Sequence, residues 1–215
     1  MKETTKMSRT IGQLEKLFRM VNADLFNGQL EPVTITVQST PRAYGHIILR
    51  DAWSIKGEGR KELNIGAGTL DRPIEDIVAT LVHECCHLFN YQNGVGDCSN
   101  HGVYHNRFFK ATAEAHGLIV TRSEKYGWSH TAPGDRLIEW CLENDLCDLM
   151  MNRNEYGGIR VGGGDKAANG GVIPTGTHKP SSTRKLVCPC CGQSVRATKA
   201  VNIICGDCLV GMEEV

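Results

Sequence analysis

The sequence predicts a mixed α+β fold, in which helices pack on a small β-sheet, followed by a short module closed by metal. Two observations predict it: helical and strand periodicities alternate over the first two thirds of the chain, and two CxxC pairs lie near its C-terminal end. The 215 residues, 40% of them hydrophobic, suffice for one domain with a proper core and a small appendage. Basic and acidic residues balance at 24 each, so net charge indicates no class of partner.

The N-terminal elements are a helix followed by short strands. Apolar residues recur at helical spacing over residues 10–30, and Thr10 with Gln13 fits a capping box at the helix start. Apolar and polar residues alternate over residues 32–39, which is typical of a half-buried strand. Further short strands are predicted at residues 43–50 and 62–67, with a charged turn over 56–61, and further helices at 71–93, 106–115 and 133–144.

The helix predicted over residues 71–93 contains the segment His83-Glu84-Cys85-Cys86-His87, an HExxH motif. Residues four apart stack on one helix face, so the two imidazoles can bind one zinc ion, and both lie away from the apolar stripe. Zinc acidifies water and polarises a carbonyl, while Glu84 is placed to move a proton from that water to a leaving amine. A pair of hydrogen-bonded core histidines would fit better within the stripe. The motif therefore predicts a zinc peptidase with Glu84 as general base.

A catalytic zinc usually takes three protein ligands, so one more is expected downstream. The metzincin arrangement is excluded, because asparagine occupies the positions three and six residues after His87 that need glycine and histidine. The remaining candidates are His101, His105 and Glu114. His105 stands at the edge of a predicted helix that could fold back on the first, whereas His101 lies in a loop rich in Gly and Asn.

These motifs resemble the SprT-like zinc metallopeptidase family, most of all its phage and bacterial accessory members. The likeness runs over residues 10–150 and is most specific at "HECCH" and "YHNRFFKATAEAHGL". In that family a histidine after the HExxH loop precedes, by four residues, an aromatic residue that packs under the site, and His105 and Phe109 match. Asn106 stands where many members have glycine. The resemblance implies a zincin-like minimal metalloprotease domain with Glu84 as general base and with three zinc ligands, His83, His87 and His105.

Two CxxC pairs predict a second metal site, Cys188 with Cys191 and Cys205 with Cys208. The 13 residues between the pairs leave room for a β-hairpin, and four thiolates close a tetrahedral structural zinc site. Because a module this small has almost no apolar core, a metal ion must supply much of its folding energy. SprT-like proteins commonly carry such a ribbon, which agrees with this interpretation.

Composition divides the chain into three parts. A glycine-rich stretch without periodicity precedes the cysteines and is typical of a flexible tether. We therefore predict a metallopeptidase domain at residues 1–150, a linker at 151–183 and a zinc ribbon at 184–215. Two zinc ions are expected, one catalytic and one structural.

The partners are predicted from charge distribution and from the resemblance. Residues 179–206 carry five basic side chains and no acidic one, which suits contact with a DNA backbone. The resemblance implies DNA-associated protein substrates. A non-catalytic module that binds zinc and nucleic acid remains the alternative. No signal peptide or apolar run of membrane-spanning length is found, so we expect no membrane contact and a cytoplasmic location, that of the host if the chain is phage-encoded.

Overall fold

The computed structural model describes residues 7–40, 43–100, 102–149, 151, 153, 184–197 and 201–214. Within these residues the fold is mixed α+β, with four α-helices and three small sheets. The candidate ligand His101 and nearly all of the predicted linker lie outside the described residues. No described helix has both the length and the apolar character needed to cross a bilayer.

The helices are α1 (Met7–Leu25), α2 (Ile74–Gln92), α3 (Arg107–Ala115) and α4 (Asp135–Glu143). All four lie where the sequence predicts helices, but the capping box at Thr10 is wrong. Thr10 lies inside α1, is 3% exposed, and its hydroxyl contacts the sulfur of Met151 at 3.3 Å. Because the Thr10 side chain faces the interior, it does not cap the helix.

The first sheet contains β1 (Val33–Gln38), β2 (Gly45–Ile55) and β3 (Glu58–Gly66) in the order β1-β3-β2. Strand β3 runs parallel to β1 and antiparallel to β2. The turn predicted over 56–61 is shorter in the structure, because Lys56 and Gly57 alone connect β2 to β3, with φ angles of 55° and 87°. Two successive positive φ angles are the geometry that a two-residue hairpin requires, and they let both strands continue to the turn.

The second sheet contains β4 (Cys98–Ser99), β5 (Tyr104–His105), β6 (Leu118–Ser123) and β7 (Gly127–Pro133), in the order β4-β5-β7-β6. The sequence analysis did not predict the β6–β7 hairpin, whose register shifts between Thr121 and Ser123. This sheet carries His105 on its short strand β5. It thereby brings a residue from outside α2 to the HExxH helix.

Helix α2 lies at the centre of the core and is buried on nearly every side. A short 3₁₀ helix (Ala67–Thr69) leads into it, and Asp148 Oδ1 accepts a hydrogen bond from the Ile74 N–H at its start. Cys85, Cys86 and Cys141 are at most 4% exposed and pack in the core, whereas Cys147 is exposed.

The C-terminal module contains β8 (Arg184–Val187), β9 (Ser194–Ala197) and β10 (Glu213–Glu214) in the order β10-β8-β9. A hairpin was predicted between the two CxxC pairs, but the structure forms it across the first pair, with Arg184 opposite Ala197. Arg196 also forms an ion pair with Asp148 at 3.2 Å. The carboxylate that caps α2 is thus also bound by the C-terminal module.

Candidate metal centre

Three histidines from two elements converge at one point. His83 and His87 lie one turn apart on α2, and His105 reaches them from β5. The Nε2 atom of His87 lies 3.3 Å from that of His83 and 3.1 Å from that of His105. Four-coordinate zinc with Zn–N distances of about 2.0–2.1 Å separates its ligand nitrogens by about 3.3 Å, so the spacing fits one tetrahedral ion.

The hydrogen bonds at the opposite ring nitrogens agree with metal binding. His87 Nδ1 lies 2.7 Å from Asp97 Oδ2, which can only accept a proton when ionised, and His83 Nδ1 lies 3.0 Å from Thr131 Oγ1. A proton on each Nδ1 leaves the Nε2 of that ring available to a metal ion. Three imidazole nitrogens at this spacing are a donor set that fits a divalent metal.

A chain of buried side chains holds the Asp97 carboxylate in place. Asn90 Nδ2 donates to Asp97 Oδ2 at 3.1 Å, and Asn90 Oδ1 accepts from Thr112 Oγ1 at 2.8 Å. Asp97 is 8% exposed and Asn90 is 2% exposed. His87 is therefore oriented through contacts that reach from α2 across to α3.

Phe109 on α3 packs beneath all three imidazoles. Its ring centroid lies 4.6 Å from each of the three histidine rings, and its side chain is fully buried. Asn106 begins α3, because its Oδ1 accepts hydrogen bonds from the N–H groups of Phe108 and Phe109 at 2.8 and 3.4 Å. Asn106 is thus the N-cap of α3.

Glu84 lies beside the histidines, between α2 and the edge strand β2. Its side chain is 6% exposed, and the backbone N–H of Ile47 donates to its carboxylate. Burial raises the pKa of Glu84 to about 7, although nearby His87 opposes the shift. A Cβ at Gly45 would lie 3.5 Å from Glu84 Oε1, so β2 passes close to the carboxylate with no side chain at the nearest position.

The electrostatic environment differs among the three histidines. Burial lowers the pKa of His83 well below its usual value and lowers that of His105 to about 4, with His87 adding to both effects. Burial also acts against a charge on His87, but the hydrogen bonds with Asp97 and Cys98 and the nearby Glu84 and Asp97 carboxylates together outweigh it and raise the pKa of His87 to about 10. The Asp97 carboxylate therefore stabilises positive charge at His87, whether that charge is a proton or a bound metal ion.

Comparison with known protein families identifies the family of this chain. A model of the SprT-like family matches residues 14–124, which is 111 of the 215 residues. The chain belongs to the SprT-like family. No curated protein and no solved structure matches it.

The SprT-like match contains the three converging histidines, Glu84 and Phe109, and it ends at the β6–β7 turn, before the cysteine pairs. It indicates a metallopeptidase-like domain. The family match itself says nothing of the C-terminal module, so the likeness to phage members with a ribbon stays a prediction.

Glu114, one of the alternative third ligands, does not lie at the histidine centre. It lies on α3, half exposed, and pairs with Lys110 at 3.6 Å. His101 lies outside the described residues.

The sequence interpretation also missed Asp97 and Thr131, the residues that contact the ring nitrogens. Asp97 could have been suggested by its position as an acidic residue in the loop after the HExxH motif. Thr131 could not, because it lies on a strand that was not predicted.

The four cysteines predicted as a second site also converge. Their sulfur atoms all lie within 4.8 Å of one another, and the sulfurs of Cys191 and Cys205 are 3.7 Å apart. Tetrahedral zinc with Zn–S distances of about 2.3 Å separates its sulfurs by about 3.8 Å. The N–H of Cys191 points at the sulfur of Cys188 and lowers the pKa of that thiol to about 7, which favours the thiolate a metal needs. The cluster is compatible with a zinc ribbon.

The two cysteine pairs form turns with the same hydrogen bonds. In the first, Cys188 N donates to Gln193 O and Gly192 N donates to Cys188 O. In the second, Cys205 N donates to Val210 O and Leu209 N donates to Cys205 O, all four bonds measuring 2.8–2.9 Å. The fifth residue of each turn has a positive φ angle, 76° at Gly192 and 54° at Leu209. The turns are therefore matched in backbone, although the left-handed position is a glycine in the first and a leucine in the second.

Proposed function

We propose that this chain is a zinc-dependent metalloendopeptidase of SprT-like type that acts on nucleic-acid-associated proteins, with the C-terminal zinc ribbon as a tether. The observation that carries the peptidase proposal is the convergence of three Nε2 atoms, 3.1–3.3 Å from His87 to its two partners, beside a buried glutamate on the same helix. Membership of the SprT-like family supports the same assignment.

In this proposal His83, His87 and His105 hold the ion in a zincin-like domain. Zinc, when bound, polarises the scissile carbonyl and acidifies a water molecule. Asp97 and Thr131 fix the orientation of the two α2 imidazoles, and Phe109 supports all three rings from below.

Glu84 carries the proton transfer. It takes a proton from the attacking water as the new C–O bond forms, and it returns that proton to the amide nitrogen as the C–N bond breaks. The hydrogen bond from Ile47 N–H holds its carboxylate at the edge of β2, next to the histidines. A pure metal-binding module needs no glutamate at this position, which favours catalysis over the non-catalytic alternative.

The tether proposal is supported by the local excess of basic residues in the C-terminal module. Lys185 and Arg196 lie opposite each other on β8 and β9, so two cations share one region of the small sheet. Arg184 and Arg196 already form ion pairs with Glu214 and Asp148, at 3.5 and 3.2 Å. Phosphate groups would therefore exchange with these carboxylates, and binding should weaken steeply with salt.

Glu84→Gln tests the proposal, with Glu114→Gln, an exposed residue on α3, as the matched control. Cleavage of a DNA-binding protein would be followed with and without DNA, and zinc content would be measured in each variant. Loss of a general base is expected to slow cleavage at least about 100-fold, with zinc content unchanged. Glu114→Gln should cleave like the wild type. Equal cleavage by wild type and Glu84→Gln would reject the catalytic role and favour the binding module.

A further inference from the structure

The guanidinium of Arg72 connects four parts of the chain near the N-terminal end of α2. Its Nε donates to the carbonyl of Thr69 at 2.9 Å, and its Nη1 donates to the carbonyl of Asp76 at 3.3 Å. Its Nη2 donates to Thr80 Oγ1 at 3.1 Å. The face of the guanidinium lies on the Tyr44 ring, with 4.0 Å between its central carbon and the ring centroid. Three acceptors in fixed directions suit the planar fork of arginine better than the single ammonium of lysine.

Tyr44 is the residue directly before β2, so its position sets where that strand begins. Its carbonyl accepts a hydrogen bond from Gly66 N at 2.7 Å, which binds it to the end of β3. Burial lowers the pKa of Arg72, and a cation–π contact is strongest where the cation is removed from water. The side chain of Tyr44 is therefore held by Arg72 and its backbone by β3.

From this start, β2 crosses the face of α2 that carries Thr80 and Glu84, one turn apart. A Cβ at Gly45 would lie 2.8 Å from the carbonyl oxygen of Asn64 and 3.0 Å from Thr80 Cγ2, so the strand lies as close to the helix as a backbone allows. Two residues further on, the Ile47 N–H donates to the Glu84 carboxylate. A shift of the start of β2 would move this N–H away from the carboxylate.

We propose that Arg72 and Tyr44 are positioning residues for Glu84, because their stacked pair fixes the start of β2 and β2 holds the carboxylate beside the histidine centre. The inference rests on the proposed function, in which Glu84 transfers a proton. The contacts described for Arg72 and Tyr44 include none with the three histidines or with Phe109. Zinc binding should therefore not depend on the pair.

The first test measures cleavage of the DNA-binding protein used for Glu84→Gln. Arg72→Met is expected to lower kcat at least about tenfold, with KM changed less than about twofold and zinc content unchanged, because a misplaced general base acts on the transition state and not on substrate binding. Tyr44→Leu should cause a smaller loss of the same kind, and Tyr44→Phe, which keeps the ring, should recover most of it. Tyr91→Leu is the matched control, because this half-exposed ring lies 5.4 Å from Lys61 in another cation–π pair, at the far end of α2.

Two further measurements show whether the pair acts through β2 and Glu84. In the Glu84→Gln protein, which has already lost the proton transfer, adding Arg72→Met should cause no further loss of cleavage. Hydrogen exchange of the Ile47 amide, followed by NMR on the zinc-loaded full-length chain, should be at least about tenfold faster in Arg72→Met and unchanged in Tyr91→Leu. The exchange rate does not depend on peptidase activity.

The proposal is overturned if Ile47 exchange is unchanged in both Arg72→Met and Tyr44→Leu, or if Arg72→Met costs as much cleavage in the Glu84→Gln protein as in the wild type. Equal cleavage by wild type and Glu84→Gln would instead reject the proposed function, and faster Ile47 exchange would then still show that the pair holds β2. Thermal unfolding and zinc analysis check each variant. If Arg72→Met does not fold, Tyr44→Leu decides, because its side chain is only partly buried.

Discussion

The two candidate metal sites of this chain are built in opposite ways. The histidine centre lies on a helix that is buried on nearly every side, with a fully buried phenylalanine beneath it and hydrogen bonds behind its imidazoles. The cysteine cluster lies among exposed residues, including Ile204 at 66% and Leu209 at 80% exposure. Of the apolar side chains described in the C-terminal module, only Leu186 and Ala197 join two cysteines in being buried.

The difference separates two uses of a metal ion. At the histidine centre, the packing of α2 and α3 holds the ligands at metal-binding distance, so an ion adds chemistry to a structure that the core already supports. In the C-terminal module few of the described apolar side chains are buried, so an ion has to supply much of the folding energy. Removing metal should therefore affect stability very differently at the two sites.

Removal of metal by a chelator is expected to have the largest effect. The C-terminal module should unfold, since structural zinc supplies about 10–16 kcal/mol to small zinc modules at neutral pH, whereas the SprT-like domain should keep its secondary structure. Hydrogen exchange followed by mass spectrometry would measure both regions in one sample. Protection should disappear over residues 184–197 and 201–214 and remain in α2.

Cys205→Ser makes the same change at one site. It should lose one of two zinc ions and leave the melting of the SprT-like domain unchanged, while His83→Ala should lose the other. A Cys205→Ser protein that still holds two zinc ions would show that the cysteine cluster is not a metal site.

Phe109→Ala should cause the next largest effect. The ring contacts all three imidazoles and is fully buried, so truncation is expected to destabilise the domain by about 3–5 kcal/mol. Phe108→Ala, at the neighbouring residue with a 48% exposed ring, is the matched control and should change stability by less than about 1 kcal/mol. Urea unfolding of both variants measures the difference. Similar losses would mean that the core does not support the centre as described.

Much of the fold could be predicted because its helices have strong local signals. The apolar periodicity of α1 and the acidic first turn of α2 depend on the sequence of each helix alone. The β6–β7 hairpin could not be predicted in this way. Its strand β7 gains its position from pairing with both β5 and β6, and a bulge at Trp128 breaks the alternation that would have revealed it.

The sequence predicts those residues of the candidate centre whose spacing is set by a single helix. His83 and His87 follow from helical geometry, and His105 followed from the family pattern. Asp97 and Thr131 come from a loop and a strand, and only the tertiary structure brings them to the histidine nitrogens. Residues that orient metal ligands are hard to predict from sequence, because their residue types are common and they occur at no fixed number of residues from the ligand.

Asp97→Asn tests the hydrogen bonds behind the histidine centre. It should weaken zinc binding at that centre about 10–100-fold, because a neutral amide stabilises positive charge on His87 less than a carboxylate does. Thr131→Val should have a smaller effect, since a hydroxyl is a weaker partner for His83. Competition with a chromophoric chelator measures both affinities, and Thr121→Val, on an exposed position of β6, is the control. An affinity unchanged by Asp97→Asn would assign the residue to packing alone.

The smallest expected effect compares the two turns of the cysteine cluster. Leu209 has a φ of 54° where the matched turn has Gly192 at 76°. A left-handed conformation costs a residue with a side chain about 1 kcal/mol, and the Leu209 side chain is 80% exposed, so it regains little from burial. Leu209→Gly should therefore tighten zinc binding at the cluster by up to about fivefold, and Gly192→Ala should weaken it by a similar factor. Since no atom lies within 4 Å of a Cβ at Gly192, that loss would be purely conformational. Weaker binding in Leu209→Gly would mean that the exposed leucine makes a stabilising contact, and the two turns would not be equivalent.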